Sequence, residues 1–125
     1  MIYRVEVSTK PGLPDARGER LLGNISGVDS LAVTDLYFFK GGLDETDVMR
    51  LVHTLLYDPV VEQVRWFALD DSRAAPDQPA GGWSVEVTLL PGVTDSVAES
   101  LLAAAEVIGV AGLEQVATGQ RYDLT

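Results

Sequence analysis

The chain repeats itself at a fixed offset. Setting each residue against the one 80 positions later makes nine of the twenty pairs between 3 and 22 identical. They are Val5/Val85, Glu6/Glu86, Val7/Val87, Pro11/Pro91, Gly12/Gly92, Asp15/Asp95, Glu19/Glu99, Leu21/Leu101 and Leu22/Leu102. Background composition would give about one. A two-residue shift then aligns Gly27-Val28 with Gly109-Val110 and Leu31 with Leu113. Such duplication fixes a strand–turn–helix–strand unit that must be satisfied twice.

The local chemistry of the unit is legible. Tyr3, Val5 and Val7 alternate with Arg4, Glu6 and Ser8, which reads as a half-buried strand over 2–9. Lys10-Pro11-Gly12 ends it, because Pro cannot donate to a ladder and Gly supplies the φ a reversal needs. Asp15 caps a short helix expected to bury Leu21, Leu22 and Ile25. In the second copy Pro91 and Gly92 make the turn, and Asp95 caps a helix over 96–107. A free helix N-terminus with Lys10 and Arg17 beside it would suit an anion. The second copy has Leu90 and Val97 at those positions and loses that option.

Between the copies, Leu31, Val33 and Tyr37 on one face and Leu36 and Phe38 on the other predict a strand over 31–39. Asp44 and Asp47 form an acidic capping box. Val48, Leu51, Val52, Leu55 and Leu56 then predict an amphipathic helix over 44–57, stopped by Asp58-Pro59. A strand follows over 60–69. Residues 70–82 hold two Pro, two Gly and three Asp without period and read as a linker. The expected organisation is a first unit, 1–69, this linker, and a second unit, 83–125. The second unit lacks a counterpart of helix 44–57 and strand 60–69. That suggests a fragment of a longer protein, with strand 113–124 left as an unpaired edge that pairs with another chain or frays.

Composition narrows the function classes. The 125 residues can bury about two-thirds of their unfolded surface. With 46% hydrophobic and 22% charged residues, a globular chain is expected. Nine basic against nineteen acidic residues argue against nucleic-acid binding. Residues 1–40 hold five of each sign, 41–80 eight acids and three bases, and 81–125 six acids and the single base Arg121. There is no Cys, no apolar run near the ~18 residues that span a bilayer, and no leader-like N-terminus. A cytoplasmic chain with neither membrane nor nucleic-acid partner is the expectation.

Catalytic constellations are scarce. The one histidine, His53, lies beside the apolar stripe of helix 44–57 and reads as a boundary residue. No GxSxG elbow is present. Asp44-Glu45-x-Asp47 is explained by helix N-terminal charge. Asp70-Asp71 reads as a solvated turn. Gly41-Gly42 and Gly81-Gly82 lack the pattern of a phosphate loop. No catalytic residue, metal ligand or cofactor site is expected.

The string Lys10-Pro11-Gly12-Leu13-Pro14-Asp15-Ala16-Arg17-Gly18-Glu19 after an alternating strand resembles the N-terminal, PurS-like region of phosphoribosylformylglycinamidine synthase. So do Leu43-Asp44-Glu45-Thr46-Asp47-Val48, Leu55-Leu56-Tyr57-Asp58-Pro59-Val60, and the returning Val85-Glu86-Val87-Thr88-Leu89-Leu90-Pro91-Gly92-Val93-Thr94-Asp95. The resemblance covers most of the chain, and fused members carry two such units in tandem. It implies an α/β (α+β) fold of two ferredoxin-like units, each an antiparallel sheet with helices on one face, packed as a pseudo-dimer. It also implies a non-catalytic bridge between the synthetase and glutaminase parts of a purine-biosynthetic ligase. That parent uses ATP, Mg²⁺ and glutamine to transfer an amide nitrogen to formylglycinamide ribonucleotide. The implied partner surface is the turn of Lys10, Pro11, Gly12, Asp15 and Arg17, with Pro91, Gly92 and Asp95 as its structural echo. As a fragment the chain would form a homo-oligomer or an edge-paired dimer. Two other readings stand beside it. ACT-type domains, which bind amino acids, also begin strand–Pro-Gly–helix, and a plain dimerisation module would need no ligand.

Overall fold

The computed structural model describes residues 1–69, 82–90 and 92–125. Most of the linker expected over 70–82, and Pro91, lie outside these residues. Strand β1 (Ile2–Thr9) leads into helix α1 (Ala16–Leu22) and strand β2 (Leu31–Gly41). Helix α2 (Glu45–Leu51) runs directly into a π-helical turn (Val52–Leu56), followed by strand β3 (Glu62–Ala68). The second copy supplies β4 (Trp83–Thr88), α3 (Ser96–Val107) and β5 (Leu113–Leu124).

Sequence signals set these boundaries. The capping box forms as expected: the Asp47 N–H donates to Asp44 Oδ1 at 2.8 Å, and the Asp44 N–H donates to Asp47 Oδ2 at 3.2 Å. The helix then widens to π geometry at Val52 and ends at Tyr57, whose backbone is extended. Helix α1 stops at Leu22, so Ile25 lies past its end and is exposed rather than buried. The strand expected over 60–69 starts only at Glu62. Before it, Val60 and Val61 make a turn in which the Val61 and Glu62 N–H groups donate to the Asp58 carbonyl.

All five strands form one antiparallel sheet in the order β3-β1-β2-β5-β4. Two corrections to the sequence reading follow. A sheet for each unit is replaced by a single sheet, because β2 and β5 pair from Leu31↔Leu124 to Gly41↔Leu113. For the same reason β5 is no edge: β2 flanks it on one side and β4 on the other. Among the described residues, the unpaired edges belong to β3 and β4.

The register carries the duplication further than the sequence does. Val7 pairs with Asp35 and its repeat-mate Val87 pairs with Gln120, so β2 and β5 correspond at an offset of 85. Asp35 and Gln120 also pair with each other. The pairs Thr34↔Arg121 and Leu36↔Gly119 exchange under the same rule. The four strands β1-β2-β5-β4 are thus arranged symmetrically about the Asp35–Gln120 pair. The two-residue shift that aligns Leu31 with Leu113 is therefore replaced by a five-residue shift in the strand. The difference of three is odd, so the sequence alignment would have put matched residues on opposite faces.

Among the described residues, helices cover one face only. Beneath them lie Tyr3, Val5, Val7 and Phe39, packed with Leu43, Val48, Leu51, Val52, Ala105 and Val110. Helix α1 seats closest: a Cβ on Gly18 would stand 2.2 Å from the Leu31 carbonyl oxygen, so only Gly fits. Its repeat-mate Ala98 carries a Cβ and is buried in α3.

Candidate functional site

The two strand–helix turns are built alike. The Asp15 Oδ1 caps α1 by accepting from the Gly18 N–H at 3.0 Å, while Oδ2 accepts from the Val33 N–H at 2.9 Å. Asp95 does the same in the second copy. Its Oδ1 takes the Ala98 N–H at 3.0 Å, and its Oδ2 takes the Thr118 N–H at 3.0 Å and the Thr118 hydroxyl at 2.8 Å. Each aspartate therefore caps a helix and fastens it to the next strand with one carboxylate. Burial works against ionisation of Asp95, but these donors outweigh it and hold its pKa below the usual range. Gly12 and Gly92 both adopt positive φ, 84° and 86°, as the reversal requires.

The basic residues of the first turn are partly committed. Arg17 donates through both terminal nitrogens to Asp35, at 2.9 and 3.0 Å. That hydrogen-bonded pairing raises its pKa against the cost of burial. The Lys10 backbone ties the turn to the start of β3: its N–H donates to the Val61 carbonyl at 3.0 Å, and its own carbonyl accepts from Leu13. Its side chain is half-buried, whereas Pro11, Gly12, Leu13 and Pro14 beside it are exposed. His53 shares a hydrogen bond with the Tyr57 hydroxyl at 3.0 Å on the exposed side of the π turn, as a boundary residue would.

The sequence reading missed the most ordered charge arrangement in the molecule. The sheet face without helices carries Arg4, Glu6, Arg65, Glu86, Arg121 and Asp123. Glu6 is buried and sits at the centre. It accepts from Arg4 Nε at 2.9 Å and from Arg121 Nη1 at 2.7 Å, with Arg65 Nη1 at 3.5 Å. Arg4 reaches on to Glu86 with both Nη1 and Nη2, and Arg121 also holds Asp123 through Nε at 3.2 Å. The hydrogen bond to Glu86, more than any other cause, raises the Arg4 pKa, and the same bond lowers that of Glu86.

Geometry explains why Arg4, Glu6, Thr34 and Leu36 at the middle of this face are buried. Strands β1 and β4 are separated by β2 and β5, about 14 Å on a flat sheet. Arg4 and Glu86 are also two register rows apart, so this face must curl inward for them to meet. The diagonal between them crosses Leu36, which is fully buried. Phe38 and Phe67 support the guanidinium groups of Arg4 and Arg65, whose central carbons stand 5.7 and 4.8 Å from the ring centroids. Beside the network a cavity of about 230 Å³ opens between Glu6, Ser8, Thr34, Gln63, Arg65 and Arg121. The signals for this network were present in the sequence. Glu6 and Glu86 are identical across the repeat, and Arg121 is the lone base after residue 81. What was missing was the β2–β5 pairing that brings them together.

A larger cavity, about 350 Å³, lies on the helix side at the second turn, lined by Asp35, Tyr37, Val87, Asp95, Ser96 and Thr118 among others. No group of three or more His, Cys, Asp or Glu suited to a metal ion occurs among the described residues. No helix among them is long and apolar enough to cross a membrane. What the open face offers chemically is recognition by surface and charge: three arginines and three carboxylates, mutually neutralised on a curled sheet. No family model matches this chain, and no curated protein or solved structure does either.

Proposed function

We propose that the chain is a non-catalytic assembly module, the bridging PurS-like part of a phosphoribosylformylglycinamidine synthase acting in the cytoplasm. One observation supports this above the others: both copies of the repeat share a single sheet whose register is symmetric about Asp35 and Gln120. Two PurS-like units joined edge to edge through β2 and β5 are a pseudo-dimer in this sense. Its partners are the synthetase and glutaminase parts. ATP and Mg²⁺ belong to the parent enzyme, and this part holds neither.

The test is reconstitution. The chain is mixed with a synthetase lacking this region and with the glutaminase, and glutamine-dependent ADP release is followed. Rescue above a control without the chain is expected, with Lys10→Glu weakening it while leaving circular dichroism unchanged. Activity with free ammonia but no rescue with glutamine overturns the bridging reading.

The cavity at the second strand–helix turn favours a second reading, an ACT-type amino-acid sensor. Its walls carry Asp35 and Asp95, which would suit an ammonium group but offer a ligand carboxylate no cation of their own. A rise in melting temperature with one member of an amino-acid panel, abolished by Ser96→Leu, would replace the bridging reading with this one.

A further inference from the structure

The repeat shows what covers β1 and leaves β4 uncovered. Tyr3, Val5 and Val7 are 5%, 0% and 1% exposed; their repeat-mates Trp83, Val85 and Val87 are 78%, 50% and 54% exposed. The strands have the same alternation and the same neighbour on one side, β2 for β1 and β5 for β4. The difference lies in the segment Glu45–Ala68. Its strand β3 pairs with the outer edge of β1, and its helix α2 with the following π turn packs over Tyr3, Val5 and Val7. Among the described residues nothing pairs with the outer edge of β4.

That edge is also undefended. Edge strands are normally protected by lysine, proline, a bulge or an inward-pointing charge. Strand β4, Trp83-Ser84-Val85-Glu86-Val87-Thr88, contains none on its apolar side. Its one charge, Glu86, points to the other face and is held by Arg4. The surrounding charge argues against a second copy as the occupant. The chain as a whole carries a net charge of −10, so two copies would repel each other.

We infer that the outer edge and apolar face of β4 receive a helix–strand segment of another polypeptide. This segment is built like Glu45–Ala68: an amphipathic helix, a short turn, then an antiparallel strand, but with lysine or arginine on its solvent rim. The strand would repeat the register Val5↔Trp66 and Val7↔Val64, setting apolar side chains opposite Val85 and Val87. The inference rests on the bridging reading for the source of the segment, which is one of the two bridged parts.

The probe is a labelled peptide of residues 44–69, tested by fluorescence anisotropy against the intact chain. A second peptide carries Glu45→Lys, Asp58→Lys and Glu62→Lys. Saturable binding is expected, tighter by about tenfold for the basic peptide, and weakened at least tenfold by Val87→Lys in the chain. Val85 and Val87 are half-exposed, so the substitution is tolerated; Trp83→Lys, at a still more exposed position, provides a second variant. Absence of saturable binding by either peptide overturns the inference. So does binding indifferent to Val87→Lys, which would mean exchange with α2 and β3 at β1. A concentration-dependent dimer that Val87→Lys abolishes would assign the edge to a second copy instead. The reconstitution assay separates this inference from the bridging reading. If the unmodified chain fails to rescue, the bridge fails whatever the peptides do. If the chain and its Val87→Lys variant rescue equally, the bridge stands and the β4 inference falls.

Discussion

The centres of the two faces of the sheet are buried by opposite means. On one, apolar strand residues meet apolar helix residues around Phe39, with Tyr3, Val5 and Val48 close by. On the other, Leu36 is as fully buried as Phe39, and the diagonal from Arg4 to Glu86 along which arginine and glutamate side chains bond to one another crosses it. Apolar packing is stabilised by area removed from water and tolerates many substitutions of similar volume. A buried ion network depends instead on every member having its partner, since one removal strands the rest. The helix face is therefore built for stability. The open face is built for definite geometry, and a partner surface meeting it would find every charge already placed.

The comparison can be broken at three points of decreasing effect. Phe39→Ala should cost about 3–5 kcal/mol, the usual range for emptying an aromatic site in a packed core, and would shift the urea midpoint strongly. Glu6→Ala should cost about 3 kcal/mol, because Arg4 and Arg121 lose their common acceptor. Replacing Arg4, Glu6, Glu86, Arg121 and Asp123 together with apolar residues of similar volume, so that no charge is left without its partner, should recover that loss. If Glu6→Ala is silent in a denaturant melt, the open face is not sealed by the network. Asp95→Ala should cost about 1–2 kcal/mol, as loss of a helix cap does, with Thr118 also losing its acceptor.

Acid sharpens the contrast. Asp95 and Glu86 both have folded pKa values below their ordinary ones. A depressed carboxylate contributes stability that is present above its unfolded value, about 4, and is lost as pH falls through the folded value. Stability should therefore hold near neutrality and decline below about pH 4. Glu86→Gln should make that decline shallower, and a slope identical to that of the unmodified chain would show that the Arg4–Glu86 pair does not govern acid unfolding.

Much of the helix face could be read from the residues. The alternation of β1, the capping box of Asp44 and Asp47, and the two cap aspartates follow from local rules that hold within a few positions. The open face could not be read that way. Arg4, Glu6 and Ser8 look like the wet side of any strand until β2 and β5 pair. Only that pairing carries Arg121 to Glu6, across 115 positions of sequence. The same pairing was hidden because its offset, 85, departs from the 80 that the identities display. The mismatch of five is taken up in the helix, which has 12 residues in α3 against 7 in α1. The pairing of Arg17 with Asp35 was equally out of reach, since two residues eighteen apart give no local sign of meeting.

The order β3-β1-β2-β5-β4 also has a temporal meaning. Strand β2 meets β1 after a short excursion through α1, but its partners on the other side, from Gly41↔Leu113 to Leu31↔Leu124, lie 72 to 93 residues away. Closing loops of that length is slow compared with forming local structure. The middle strand of the finished sheet thus spends the early part of folding as an edge, with the alternating Leu36 and Phe38 side uncovered. Until Arg121 arrives, Glu6 has Arg4 and, once β3 has paired with β1, Arg65 as its cations. Loop length therefore predicts that the seam between the two copies forms late, and that it is a place where a folding chain is open to a wrong neighbour.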